Sequence, residues 1–253
     1  MDFTGKRVLV TGSSRGIGRA AAEVLHEAGA IVAINGRSAA STAEGIAALG
    51  GGARLVAAPG DVGTVAGCNA IVGAAVDAMG GLDVLVNSAG VGDSRPMMAC
   101  DEAMWDATMD INLKGTFFCI KAAYPHLKKS RGNIVNVASD AGLIGEKGLS
   151  VYCASKAGVV NLTRALALEL APEVRINSVC PGYVDTDMVR RDGIEKAADP
   201  GAAEQALLDY TPLRRLAQPI EIGKAIAYFA SDDAVFITGA ALQIDGGTTA
   251  GHP

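Results

Sequence analysis

The chain has 253 residues, of which 49% are hydrophobic and 19% charged, with a formal net charge of −5. That balance is too rich in core residues for a disordered chain, and its acidity excludes a nucleic-acid binder, whose phosphate contacts need a basic surface. Five dispersed cysteines without a C-x-x-C pair read as small buried hydrophobes rather than a disulfide or zinc framework. His26, His126 and His252 form no ligand pattern, so no metal is expected. With no apolar run long enough to span a membrane and no leader-like block after Met1, the expectation is a cytoplasmic protein without a membrane partner.

Arg7-Val-Leu-Val-Thr11 is a short apolar run that predicts a strand, followed by a glycine-rich turn and a helix from Ile17 to Ala28. Strands are then predicted at 30–35, 54–58, 82–87, 133–138, 174–180 and 241–245. Helices are predicted between them at 41–49, 64–79, 102–129 (broken near Pro125), 151–171 and 219–230, the last opening on proline. Pro181-Gly182 is expected to stop the sixth strand. Alternation of this kind predicts one α/β unit with a mostly parallel, doubly covered sheet, because parallel neighbours need long crossovers. Residues 183–212 have no clear period; a segment of that length is a substrate lid, a surface excursion or an oligomer contact.

Thr11-Gly-Ser-Ser-Arg-Gly-Ile-Gly18 lies between a strand and a helix. Glycines there let the backbone turn and approach a ligand, and free N–H groups at a helix start attract phosphate. Gly12, Ser14, Arg15, Gly16, Ile17 and Gly18 are therefore candidate nucleotide contacts. The second strand ends Asn35-Gly36-Arg37, without the acidic residue that would hold a free ribose 2′-hydroxyl. Arg37 and Arg15 instead suit a 2′-phosphate and point to NADP, unless both are ordinary solvated side chains.

Tyr152 and Lys156 stand four residues apart in a predicted helix, on one face. An ammonium beside a phenol stabilises the phenolate, which would bring a proton donor or acceptor toward neutrality. Ser139 ends the fifth strand, with twelve residues between it and Tyr152. This Ser followed by Tyr-x-x-x-Lys, with the glycine loop, Asp61-Val62, Asn87-Ser-Ala-Gly90, Asn112 and Pro181-Gly-Tyr-Val-Asp-Thr186, resembles the short-chain dehydrogenase/reductase family over nearly the whole chain.

The resemblance implies a Rossmann-type sheet of about seven strands in the order 3-2-1-4-5-6-7. It also implies a homotetramer and an oxidoreductase acting on a small carbonyl or alcohol substrate. Tyr152 would move the proton, Lys156 would lower the Tyr152 pKa and hold the nicotinamide ribose, and Ser139 would bind the substrate oxygen. Asn112 would hold a relay water, although it or Ser139 alone could equally be a cap or a satisfied core group. Asp61 and Val62 would meet adenine; Asn87, Ala89 and Gly90 would line the cofactor; Pro181, Gly182, Val184 and Thr186 would close on the carboxamide end. The implied activity is carbonyl or 3-oxoacyl reduction with NADPH. A sugar, polyol or steroid-type dehydrogenase and a non-catalytic NADP sensor are the alternatives. Ser88 and Asp140 depart from the family pattern, and Asp140 places a carboxyl beside the substrate. The pocket is expected among 92–98, 140–149 and 183–208. Met97, Leu143, Ile144 and Met188 would form its walls, with Arg95, Glu146, Lys147, Arg190 and Arg191 either specificity contacts or solvated charges.

Overall fold

A computed structural model describes residues 1–191 and 193–251; His252 lies outside the described residues. The strands are β1 (Arg7–Thr11), β2 (Ile31–Ile34), β3 (Leu55–Ala57), β4 (Val84–Asn87), β5 (Asn133–Val137), β6 (Arg175–Pro181) and β7 (Ala241–Ile244). They form one parallel sheet in the order β3-β2-β1-β4-β5-β6-β7. Between them run α1 (Gly16–Glu27), α2 (Ala39–Ala48), α3 (Val65–Met79), α4 (Glu102–Met109), α5 (Gly115–Ser130), α6 (Ser150–Leu170), α7 (Asp187–Arg190), α8 (Pro200–Tyr210) and α9 (Pro219–Ala230).

Period-two alternation splits the sheet's side chains between two cores. Val8, Val10, Val32, Ile34, Val84 and Val86 pack toward Leu25 of α1 and Ile222, Ile226 and Phe229 of α9. Leu9, Ala33, Leu85, Ile134 and Ile176 face Ile71 of α3, Ile120 and Leu127 of α5, and Leu166 and Leu170 of α6. Helices α1 and α9 touch closely because Gly223 has no side chain; a Cβ there would sit 2.8 Å from the Ala20 carbonyl oxygen. As every strand is parallel, the ends of β1, β4, β5 and β6 open on one edge. The chain order reverses between β1 and β4, where doubly wound sheets leave a crevice.

Three expectations change. Helix α5 runs straight through Pro125, whose missing N–H frees only the carbonyl of Lys121 on an exposed turn. The irregularity falls earlier, in a π turn at Asp110–Lys114 between α4 and α5. Strand β6 does not stop before proline: Pro181 pairs with Ile244 of the last strand. The stretch 183–212 includes α7 and α8, the latter with Asp199 as N-cap and proline in its first turn. Their weak period reflects exposure, since no residue of α8 is buried. Among the cysteines Cys68, Cys119 and Cys180 are buried, whereas Cys100 and Cys153 are partly exposed.

Candidate active site

A ladder of buried polar groups sets the depth of α6 against the sheet. Asn87 Nδ2 donates to Asn136 Oδ1 at 2.9 Å, and Asn136 Nδ2 donates to Thr163 Oγ1 at 2.9 Å. Thr163 Oγ1 donates in turn to the Val159 carbonyl. The residues of α6 facing inward repeat at helical spacing, with Lys156, Val159, Val160, Thr163 and Leu166 all buried. Tyr152 lies one turn before Lys156 on that stripe, half-buried at the rim.

Lys156 is 5% exposed, and its Nζ donates to the Val137 carbonyl at 2.9 Å. The same ammonium lies 5.7 Å from the centre of the Tyr152 ring. Burial pulls Lys156 down to about 8. Burial also pushes the Tyr152 phenol up to about 12; contact with the Ser139 hydroxyl lowers it, while the carboxylates of Asp140 and Glu146 raise it further. In this structure the Tyr152 pKa therefore stands above its ordinary value, set chiefly by desolvation, while the Lys156 ammonium is hydrogen-bonded to the Val137 carbonyl.

Ser139 is buried at the end of β5. Its Oγ accepts from Ala141 N at 3.2 Å, donates to Asp140 Oδ1 at 3.0 Å and lies 3.5 Å from the Pro181 carbonyl. Asn112 sits in the π turn, a device that recurs at functional sites. Its Oδ1 accepts from Val91 N, and its Nδ2 donates to the Val91 carbonyl and to Ser155 Oγ. Its main-chain oxygen accepts from Thr116 Oγ1. A Cβ on Gly90 would lie 3.4 Å from both Asn112 Oδ1 and Lys156 Nζ, and one on Gly92 3.4 Å from the Tyr152 ring and Met188 Sδ. Tyr152, Lys156, Ser139, Asn112, Gly90, Gly92 and Met188 are thus one constellation at the ends of β4, β5 and β6.

Next to it the glycine loop forms a cradle that side chains would fill. Gly12 and Gly16 hold positive φ; a Cβ on Gly12 would stand 2.6 Å from Ala89 Cα, and one on Gly18 2.4 Å from the Gly12 carbonyl oxygen. Arg15 precedes α1 in an extended conformation, and no side chain caps that helix. Its first N–H groups and dipole therefore suit a phosphate, which makes the loop fit a dinucleotide. Thr186 packs over Gly16, with its Cγ2 3.6 Å from where a Cβ would be. Ser14 and Ile17 lie within the same turn, half-buried.

The remaining candidates spread outward. Val62 and Val184 are buried supports; Asp61 is exposed, its Oδ1 accepting from Gly63 N. Gly182 N bonds the Ile244 carbonyl. The Arg15 guanidinium lies 3.7 Å from Asp187 of α7, and Arg37 is exposed just beyond the end of β2. Arg95 pairs with Asp93, Arg190 with Asp185 and Glu204, and Arg191 with Asp187. Glu146 accepts from the Tyr183 hydroxyl at 3.0 Å, Lys147 is exposed, and Met97 is 71% exposed.

Sequence reasoning overlooked the groups that hold these residues. Thr11 Oγ1 accepts from Ser88 N and Ala89 N. Asn35 accepts from Gly12 N and donates to the Ala58 and Gly60 carbonyls, tying the loop to two strand ends. Ser155 anchors Asn112. The available signal was a polar residue closing an apolar strand, which needs a reason to be buried.

The chain is similar to known proteins over nearly its whole length. Residues 12–249 match a family model described as enoyl-(acyl carrier protein) reductase. Meso-2,3-butanediol dehydrogenase of Serratia marcescens is 38% identical, covering 99% of this chain and 97% of that one. A 3-oxoacyl-[acyl-carrier-protein] reductase of Vibrio cholerae serotype O1 is 38% identical, over 98% of each. The solved structure of a short-chain glucose/ribitol dehydrogenase from Brucella melitensis superposes with a TM-score of 0.90 at 35% identity, covering 98% of this chain and 99% of that one.

Proposed function

The chain belongs to the short-chain dehydrogenase/reductase family, and we propose that it is an NADP(H)-dependent enzyme interconverting a ketone and a secondary alcohol. The observation that carries the reading is the convergence of Tyr152, Lys156 and Ser139 beside the glycine cradle and uncapped start of α1. Bound nicotinamide would supply the hydride chemistry. Tyr152 passes the proton at its phenol oxygen to or from the substrate oxygen, and Ser139 Oγ holds that oxygen. Lys156 Nζ, buried and charged, orients the ribose hydroxyls and offsets charge developing at Tyr152. Asn112 has its side chain spent on Val91 and Ser155, so a relay water would use the second lone pair of its main-chain oxygen. Gly12 to Gly18 take the phosphates, Asp61 and Val62 flank adenine, and Asn87, Ala89, Gly90 and 181–186 line the rest.

The reading takes the chain as one catalytic domain in the cytoplasm, with 183–212 as the substrate lid. Met188 on α7, whose Sδ lies 3.4 Å from where a Cβ on Gly92 would be, supports the lid. The half-exposed Trp105 and Phe117 on α4 and α5, with the exposed Leu168 on α6, support an oligomer packed through these helices. Light scattering is expected to give about four times 25.6 kDa; a monomer mass overturns the tetramer. A carbonyl or 3-oxoacyl compound is the first substrate class. A polyol-type alcohol is the second, favoured by the carboxyls of Asp140 and Glu146 beside Tyr152.

A panel of acyl thioesters, cyclic ketones, α-keto esters and sugars, followed by nicotinamide absorbance, tests both. Turnover with NADPH is expected to exceed that with NADH by about tenfold or more. Arg37→Ala should erase about that factor for NADPH alone, the scale of one charge-assisted bond. Equal use of the two cofactors, or an unaffected variant, removes the NADP assignment. NADPH binding without turnover of any member favours a sensor instead.

A further inference from the structure

Asp140 follows Ser139 and is the acidic side chain most deeply placed beside the reacting groups, at 4% exposure. Its two oxygens are unequal. Oδ1 accepts from Ala141 N at 2.8 Å and from Ser139 Oγ at 3.0 Å, whereas Oδ2 is buried without a partner among the described residues. A carboxylate with one bare oxygen in the interior is poorly solvated, so its proton has a natural resting place on Oδ2. Protonation there leaves both bonds at Oδ1 in place but changes their strength, because a carboxylate accepts about twice as strongly as a neutral carbonyl oxygen.

Ser139 has a single hydroxyl proton. Pointed at Asp140, it cannot also point at a substrate oxygen. We propose that Asp140 is a positioning residue competing with the substrate for the Ser139 hydroxyl proton: as a carboxylate it holds that proton firmly, and as a carboxylic acid it holds it weakly enough for the substrate oxygen to take it. The proton that Asp140 gains comes from solvent, and no bond between heavy atoms changes. The inference rests on the oxidoreductase reading above and adds to it a control on one of its groups.

The surroundings raise the Asp140 pKa, although the bonds from Ser139 and Ala141 act against the rise. Glu146, from the loop before α6, and Asp245, after β7, both raise the Asp140 pKa, which burial takes to about 6. Asp140 acts in turn on Tyr152 of α6, Cys180 of β6, Tyr183 after β6 and Tyr210 of α8. Lys156, the nearby ammonium, is committed to the Val137 carbonyl. Tyr152 near 12 and Lys156 near 8 titrate elsewhere, so a transition near pH 6 is separable from theirs.

The test is the pH profile of kcat/KM for ketone reduction by the full-length enzyme, with NADPH saturating, between pH 5 and 8. Wild type is expected to fall as the pH rises through about 6, to a plateau about five- to tenfold lower, the ratio of a charge-assisted to a neutral bond. Asp140→Asn, with a neutral acceptor of the same shape, should lose this limb and exceed wild type at pH 8 by the same factor. Glu146→Gln should keep the limb. Asp140→Ser is the second variant and decides the matter if the Asn protein does not fold. A wild-type profile without a limb near pH 6, a limb that survives in the Asp140 variants, or variants slower than wild type throughout overturns the inference alone. No turnover by wild type across the carbonyl panel overturns the functional reading, and this inference with it.

Discussion

Tyr152→Phe is expected to lower kcat for ketone reduction by about 10³- to 10⁴-fold while leaving NADPH affinity within about twofold. The change removes one oxygen from a half-buried ring and leaves the ring beside Gly92, so neither the fold nor the glycine cradle should respond. The upper part of the range for a general acid applies, because the nearest replacement donors are already committed. Lys156 Nζ donates to the Val137 carbonyl and the Ser139 hydroxyl to Asp140. Fluorescence titration of NADPH alongside single-turnover reduction separates the two effects. Near-normal turnover with normal binding would show that the proton comes from elsewhere.

Lys156→Met should separate stability from activity. The ammonium is buried, and its pKa is taken from 10.5 to about 8, equivalent to about 3 kcal/mol of unfavourable burial. The folded value lies below the unfolded one, so the folded state binds fewer protons between about pH 8 and 10.5. Wild-type stability consequently rises with pH across that window, and the Met variant should lack the rise. Loss of the bond to Val137 offsets part of the gain, as a bared carbonyl costs about 1–3 kcal/mol. Denaturant unfolding at pH 7 is thus expected to show a variant as stable as wild type or up to about 2 kcal/mol more so. Turnover should fall by about 10²- to 10³-fold, the scale of one preorganised electrostatic contact, with weaker NADPH binding. A variant markedly less stable at pH 7, with catalysis intact, would make Lys156 a structural residue. Under the proposed function, a buried charge would persist at this position because its role is incompatible with maximal stability.

The strand order followed from the family resemblance, whereas nearly every element was legible because the central strands of the parallel sheet are buried on both faces. Such strands read as short runs like Val84-Leu-Val and Ile134-Val, which amphipathic helices interrupt. The misreadings have local causes. Proline at 125 suggested a broken helix, but a single missing bond on an exposed turn is tolerated. The π turn carrying Asn112 left no mark, since it is set by the packing of α4 and α5 and not by residue type. Helix α8 was obscured because all of it is partly or fully exposed, leaving no buried face to stamp a period on the sequence.

Residue chemistry and spacing determined by themselves which groups could do the work: a glycine turn before a helix, a phenol and an ammonium one turn apart, a serine at a strand end. These are local facts, carried by backbone geometry over a few residues. Tertiary structure alone decided how those groups are tuned. Burial sends the Tyr152 phenol up and the Lys156 ammonium down, opposite to the shift their spacing suggests for tyrosine. The fold also brings Arg15 to Asp187 and sets the Ser139 hydroxyl nearer to Asp140 than to the Pro181 carbonyl. Desolvation and hydrogen-bond partnership depend on neighbours from β5, β6, α6 and the loops between, which no stretch of sequence brings together before the sheet does.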